Sequence, residues 1–307
     1  MNNQNTNISS SIKKKLQNKA KETKRPFMEL LQYYAIERFL YRLSSSKYAD
    51  FFILKGALIF FVLQIPERRT TIDIDFLGYL KNEVSKMEEA FHEICKIETT
   101  ADGLIFDPTT VVGKTIKEGA DYEGIRIKFK GYLEKSRIPM QADIAFGDVV
   151  SPSPKLINYP TILDLPNPHL KSYPVNSLVA EKLESIIKLG SINSRMKDFY
   201  DLWLISRKCD FEGKSLVSSI KKTFSNRKTK LPSTTKIFAE EFYDEQSDRQ
   251  LLWKAFLTKN ALFHTPQKLK TVVKTIEDFL GKPIKAIQEQ NKFNYYWEAK
   301  GFWKLPK

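Results

Sequence analysis

The sequence predicts an α+β fold, a mixed sheet with flanking helices followed by a mainly helical C-terminal region. Two patterns predict it. Between Phe52 and Phe146, short segments alternate apolar and polar residues at period two, as half-buried strands do. Phe27–Leu43 and the stretches after Val175 instead carry apolar residues at helical spacing. A Pro-rich connector, Ser151-Pro152-Ser153-Pro154, separates the two, so three regions are expected: a helical 1–46, an α/β core over 47–150, and a helical 151–307 that completes the cleft.

In chain order, Leu30, Leu31, Tyr34, Ala35, Phe39 and Leu40 mark the apolar face of the first predicted helix. Phe52–Phe60 reads as a short buried strand, a glycine turn at Lys55-Gly56-Ala57, and an apolar helix running to about Gln64. Glycine lets the backbone approach a ligand closely, and the following helix N-terminus favours an anion. Arg68 and Arg69 come next, and paired guanidinium groups can chelate phosphate oxygens.

Thr71-Ile72-Asp73-Ile74-Asp75-Phe76 is the most informative segment. On a strand, Asp73 and Asp75 share one face, and Ile72, Ile74 and Phe76 point the other way, into a core. Adjacent carboxylates repel unless a cation lies between them, and hard oxygen ligands at this spacing suit Mg²⁺. A crossing helix over about Glu83–Ile97 leads to a strand pair expected around Leu104–Phe106 and Thr110–Lys117. Gly124–Lys130 alternates Ile and Phe with Arg and Lys, and is expected to pair with Pro139–Asp148. On that later strand Asp143 has the parity of Gln141 and Ala145, opposite to Ile144 and Phe146. It can therefore join Asp73 and Asp75, and three such acids can hold two metals for phosphoryl transfer.

In the second half, Val175–Lys188 is helical by spacing, with Leu178, Val179, Leu183, Ile186 and Ile187 as its stripe and Lys182 flanking it. Asn193 or Ser194 is the expected N-cap of a helix over Arg195–Lys208. Asp198 and Asp201 share one face of it; acids early in a helix also suit its positive end. Gln250–Thr258 and Pro266–Phe279 have helical spacing, and Trp253, Phe256, Phe279, Tyr295, Tyr296, Trp297 and Trp303 are read as core.

Composition fits an enzyme that acts on a polyanion. The chain has 50 Lys+Arg against 36 Asp+Glu, a net charge of +14, with two dense stretches. One is Lys13–Arg25; the other is Lys214–Lys236, with Lys214, Lys221, Lys222, Arg227, Lys228, Lys230 and Lys236. Such stretches attract nucleic acid through counterion release. No signal core or apolar run of membrane-spanning length is present, and two cysteines and three scattered histidines give neither a disulfide framework nor a zinc spacing. A reducing cytoplasm is the expected location.

Gly56, the Asp73/Asp75 pair and Asp143 resemble the nucleotidyltransferase superfamily that shares its catalytic domain with DNA polymerase β. Val179-Ala180-Glu181-Lys182-Leu183-Glu184 and Asn193-Ser194-Arg195-Met196-Lys197-Asp198-Phe199-Tyr200-Asp201-Leu202-Trp203 sharpen the match to the AbiEii/AbiGii nucleotidyltransferase toxins of abortive-infection and type IV toxin–antitoxin systems. The resemblance covers about Phe51 to Leu204. Two departures stand out: Ala57 occupies a place where many relatives carry a serine, and the turn-to-acid spacing is longer. The resemblance implies a polymerase β-like core at 47–150 and transfer of a nucleoside monophosphate from an NTP to RNA, with the tRNA 3′ end as acceptor. It implies Mg²⁺ or Mn²⁺ on Asp73, Asp75 and Asp143, and nucleotide contacts from Lys55, Gly56, Ala57, Arg68, Arg69 and Lys182. Asp201, or else Asp198, would position Lys182, a base or the acceptor, and a cognate antitoxin would be encoded nearby. The metal acids alone serve equally a transferase acting on a protein or small molecule, and a non-catalytic nucleotide- or RNA-binding module could retain the same fold.

Overall fold

The computed structural model describes residues 3–99, 101–118, 122–190, 193–232, 238–239 and 243–305. Lys236, part of the second basic stretch, lies outside them. The chain divides into two units. The first comprises Met1–Gln64, Thr70–Gly147 and Lys155–Ser172; the second comprises Ile65–Arg69, Asp148–Pro154 and Tyr173–Lys307.

The first unit is a seven-stranded mixed sheet backed by helices. Its strands are β1 (Phe52–Lys55), β2 (Asp73–Gly78), β3 (Leu104–Glu118), β4 (Tyr122–Leu133), β5 (Ser136–Phe146), β6 (Lys155–Asn158) and β7 (His169–Ser172), in the spatial order β3-β4-β5-β2-β1-β7-β6. The β2/β5 and β1/β7 pairs are parallel, the other pairs antiparallel. The alternation in the sequence decides which face is wet. Ile74 and Phe76 of β2, Ile125, Ile127 and Phe129 of β4, and Ala142 and Ile144 of β5 are buried on one face. They join one core with α1 (Asn3–Thr23), α2 (Phe27–Ser44) and α4 (Val84–Cys95). Phe39 of α2 packs between Phe91 at 5.3 Å and Phe129 at 4.7 Å between ring centroids, which ties both helices to the middle of the sheet. All six residues expected on the apolar face of α2 are buried.

Several expectations need correction. Ile72 precedes β2 and is 58% exposed, so it contributes nothing to the core. Leu104–Phe106 and Thr110–Lys117 do not pair with each other. They are parts of β3, which pairs throughout with β4 around an irregularity between Asp107 and Val112, where Asp107 and Thr110 satisfy the freed backbone. The helix expected to reach Gln64 is only α3 (Ile59–Val62), reached through a tight 3₁₀ turn at Gly56–Leu58. Gln64 adopts a left-handed φ of 52° and Pro66 follows closely, so the helix cannot continue. Residues 155–172, expected in the helical half, instead supply β6 and β7 to the sheet.

The second unit is mainly helical: α5 (Val175–Leu189), α6 (Met196–Lys208), α7 (Gly213–Asn226), α8 (Asp248–Lys259) and α9 (Leu269–Gln288). A small sheet closes it, with β8 (Phe211–Glu212), β9 (Tyr296–Trp297) and β10 (Trp303–Lys304) in the order β10-β9-β8. Of the aromatics read as core, Trp253, Phe279, Trp297 and Trp303 are buried, Phe256 and Tyr295 are half-buried, and Tyr296 of β9 is 39% exposed and so is not core. The indole N–H groups of Trp253, Trp297 and Trp303 donate to the carbonyl oxygens of Pro266, Ser206 and Phe279. α6 is capped differently from expectation: its N-cap is Arg195, and Asn193, two residues earlier, accepts the Arg195 N–H at 2.8 Å.

One buried acid makes the stability of the first unit pH-sensitive. Glu37 of α2 is 1% exposed and accepts the Ile162 N–H at 2.8 Å. Burial pushes its carboxyl up to about 8, with Arg38 opposing. A folded-state value above the unfolded one means the protonated form stabilises the fold. That contribution is complete below the ordinary Glu range and is lost as pH rises through about 8. Urea unfolding followed from about pH 5 to about pH 9 should show stability declining across the window, and Glu37→Gln should remove most of the decline. Equal slopes for the two proteins would show that Glu37 is ionised in the fold.

Candidate active site

Strand register assembles the acids. Asp75 of β2 lies directly opposite Asp143 of β5 on one side and Lys55 of β1 on the other. Asp143 in turn lies opposite Arg126 of β4, and Asp73 lies opposite Gln141. Residues opposed across a sheet project from the same face, so Lys55, Asp75, Asp143 and Arg126 form a single row across four strands. Two like charges side by side destabilise a sheet; here a cation closes each end of the row.

The details are specific. Arg126 grips Asp143 with a two-pronged pair, Nε to Oδ1 and Nη2 to Oδ2, both at 2.7 Å. Its guanidinium is held more firmly in the charged form, chiefly by these hydrogen bonds, with Asp73 and Asp75 adding to the effect against some burial. Gln141 donates to Asp73 Oδ1 at 2.9 Å. Gly56, at the end of β1, has a φ of +70°, and a Cβ there would fall 2.0 Å from Asp75 Oδ2. Only glycine supplies both the conformation and the space. The glycine of the turn and the second acid of the pair are thus one device: the turn passes directly beneath the carboxylate.

Both oxygens of Asp143 are taken by Arg126, and among the described residues no three carboxylate, imidazole or thiol groups already converge as a metal site. The row does carry the right donor chemistry. Asp73 and Asp75 are half-buried, hard oxygen donors on an open face beside a glycine that leaves the backbone bare. A divalent cation would compete with Arg126 for Asp143.

The second unit holds another charged cluster, which contains the predicted residues Lys182, Asp198, Asp201 and Arg69. Lys182 of α5 donates to Asp198 Oδ1 at 3.0 Å and lies 2.6 Å from Asp201 Oδ2, both on α6. Arg69 binds the same Asp201 through Nε and Nη2, each at 3.0 Å. Arg195 completes the set at 3.0 Å from Asp198 Oδ2. Asp201 is fully buried and Lys182 and Asp198 nearly so. Burial alone would push the Lys182 ammonium down, but Asp201 and Asp198 outweigh it and hold the group charged. Burial would likewise raise Asp201, but Arg69 and Lys182 overcome it and keep the carboxyl below its usual range. Three cations against two carboxylates leave the cluster net positive.

Sequence spacing placed Lys182 at the flank of the apolar stripe, and its stem is indeed buried there. Arg69, expected at a phosphate, is engaged by Asp201; Arg68 donates to the Ile65 carbonyl at 3.2 Å. Lys55 and Ala57 are buried, at the end of β1 and in the turn. Three participants were not foreseen as such: Arg126, Gln141 and Arg195. The alternation of β4 was a usable signal for Arg126, since its parity matches that of Asp143 across the pair. Nothing local signals the Arg69–Asp201 pair, whose members are 132 residues apart.

The two clusters should respond differently to substitution. Asp201→Ala leaves Arg69 and Lys182 facing each other without their shared counter-ion and should cost about 3–5 kcal/mol in urea unfolding. Asp75→Asn relieves repulsion with Asp143 and should leave the fold intact. A neutral Asp201→Ala would show that water replaces the carboxylate there.

The family described as "Nucleotidyl transferase AbiEii toxin, Type IV TA system" matches residues 38–281. No curated protein matches in sequence. Among solved structures, the chain is similar to MenT4, a nucleotidyltransferase toxin from Mycobacterium tuberculosis H37Rv, at 14% identity and a TM-score of 0.48, covering 90% of this chain and 99% of that one. It is also similar to JHP933 from Helicobacter pylori, at 13% identity and a TM-score of 0.46, covering 82% of this chain and 90% of that one. The family match spans both the acid row and the Lys182 cluster, and on that basis the chain belongs to the AbiEii nucleotidyltransferase toxin family of type IV toxin–antitoxin systems.

Proposed function

We propose that the protein transfers a nucleoside monophosphate from an NTP to an RNA hydroxyl, with the tRNA 3′ end as acceptor. The observation that carries the reading is Asp75 beside Asp143 in strand register, above a glycine that no other residue can replace. In the reaction the acceptor oxygen forms a bond to the α-phosphorus, the bond to the bridging oxygen breaks, and pyrophosphate leaves. The hydroxyl proton is lost to a neighbouring carboxylate or to water.

Asp73, Asp75 and Asp143 would hold Mg²⁺ or Mn²⁺, which supplies charge neutralisation for the phosphates and the leaving group. Of the three, Asp75 is the central ligand, because it stands between the other acids in the sheet. The bare backbone at Gly56 suits close approach of a phosphate, as does Lys55 in the same row. The Lys182 cluster, with its surplus positive charge, suits a polyphosphate, and Asp198 and Asp201 position its ammonium. An RNA acceptor is favoured by the basic excess of the chain: Lys14, Lys15, Lys21 and Lys24, and Lys214, Lys221, Lys222, Lys228 and Lys230, are all exposed. Arg227 is not available to it, since Asp148 and Glu184 bind it at 2.9 Å. No helix among the described residues is long and apolar enough to cross a membrane, and the cytoplasm, where tRNA and a cognate antitoxin would be met, is the proposed location.

Purified protein incubated with each labelled NTP, Mg²⁺ or Mn²⁺ and total tRNA should label the RNA. Asp75→Asn should fold normally yet lose transfer by orders of magnitude, and growth inhibition on expression should vanish with it. Absence of labelling with all four NTPs would overturn the RNA reading and bring a protein or small-molecule acceptor forward.

A further inference from the structure

The row of acids continues outward as a row of cations. β4 and β5 pair without interruption from Asp143 to the turn, and their wet face can be read rung by rung. Arg126 stands opposite Asp143, Lys128 opposite Gln141, Lys130 opposite Pro139, and Arg137 opposite Tyr132. Each of these four successive rungs carries one cation, and each partner except Asp143 is uncharged. Rungs on one face are about 6.7 Å apart, so Arg137 lies about 20 Å along the strand from Asp143.

A face shaped only for solubility or cross-strand stability would set Asp or Glu opposite these cations, because opposite charges pair favourably across strands. Across the β4/β5 pair Gln, Pro and Tyr take those places; on the β3 side Asp107 lies opposite Lys130, but its carboxylate accepts from the N–H and hydroxyl of Thr109. Lys128 and Arg137 are exposed and Lys130 half-buried, and none of the three forms an ion pair with a described residue. In the last rung, half-buried Tyr132 also sits opposite Ile105 of β3, which is 45% exposed. A ring and an aliphatic surface beside a line of cations match what an unpaired polynucleotide presents, stacked bases on one side and phosphates on the other. The spacing of the rungs is close to the interval between phosphates on an extended single strand.

We propose that this face of β4 and β5, through Lys128, Lys130 and Arg137 with Tyr132, is the track that guides the single-stranded end of the RNA acceptor to Asp75 and Asp143. This inference rests on the RNA-acceptor reading above. It differs from the expectation drawn from charge density along the sequence. The apolar side of the basic helix α1 joins the core behind the sheet, so its lysines do not line the face that carries the acids. Arg126 belongs to the acid row and forms the inner end of the track.

The test is charge reversal at three positions, Lys128→Glu, Lys130→Glu and Arg137→Glu, in the full chain. Binding of a fluorescein-labelled single-stranded RNA is followed by anisotropy over a range of salt concentrations. Loss of three phosphate contacts should reduce the slope of log K against log salt by about 2 and weaken binding roughly tenfold or more at physiological salt. Photo-crosslinking of a 4-thiouridine RNA to the unmodified chain should mark peptides of β4 and β5. If the charge-reversed protein does not fold, as judged by circular dichroism, the Lys128→Gln and Arg137→Gln variants give the same reading with a slope change of about 1.4. Wild-type protein that labels RNA, with variants of unchanged slope and affinity, overturns the track and leaves the RNA acceptor standing. Wild-type protein that neither binds nor labels RNA overturns both.

Discussion

The molecule is organised around the cost of keeping like charges together. Asp75 and Asp143 are neighbours across a parallel strand pair, a position where mutual repulsion opposes sheet formation. Three features make it tenable. Lys55 and Arg126 flank the acids in the same row, Gly56 leaves open the space that Asp75 occupies, and the opposite face of the same strands is anchored in the hydrophobic core shared with α1, α2 and α4. The apolar residues of β2, β4 and β5 fix the register, and a slip of one residue would turn every acid into that core.

The second unit solves a related problem differently. Lys182, Asp198 and Asp201 lie where water hardly reaches, and each charge is matched by another. A buried ion pair adds little to stability compared with apolar residues of the same size, but removal of one partner is costly. Such a network therefore selects one arrangement of α5 and α6 and of the Ile65–Arg69 segment. Arg69 is central to it: four residues before Asp73 in the chain, it forms a paired contact with Asp201. Arg227 with Asp148 and Glu184 repeats the device at the end of α7.

Much of this was legible in the sequence because it is local. Alternation at period two placed Asp73 and Asp75 on one face and gave Asp143 a compatible parity. Helical spacing located α2, α4, α5 and α6 within a few residues. The errors were also physical. Leu104–Phe106 and Thr110–Lys117 looked like two strands because Asp107–Pro108 breaks the pattern, whereas one partner strand spans the break. β6 and β7 are short and lie at one end of the sheet, and only the pairing of β7 with β1 and of β6 with β7 makes them strands.

By itself the sequence determined the fold class, the pairing of the acids on one strand and their chemistry, since each follows from side-chain period and residue type. Tertiary structure decided which charges meet. Lys55 is 20 residues from Asp75 in the chain, Arg126 is 17 from Asp143, and Arg69 is 132 from Asp201. Nothing in local spacing distinguishes these cations from the many others in a chain with 50 Lys and Arg. Strand register and helix packing choose among them, because a buried or crowded carboxylate persists only where the fold brings a counter-charge within hydrogen-bonding distance.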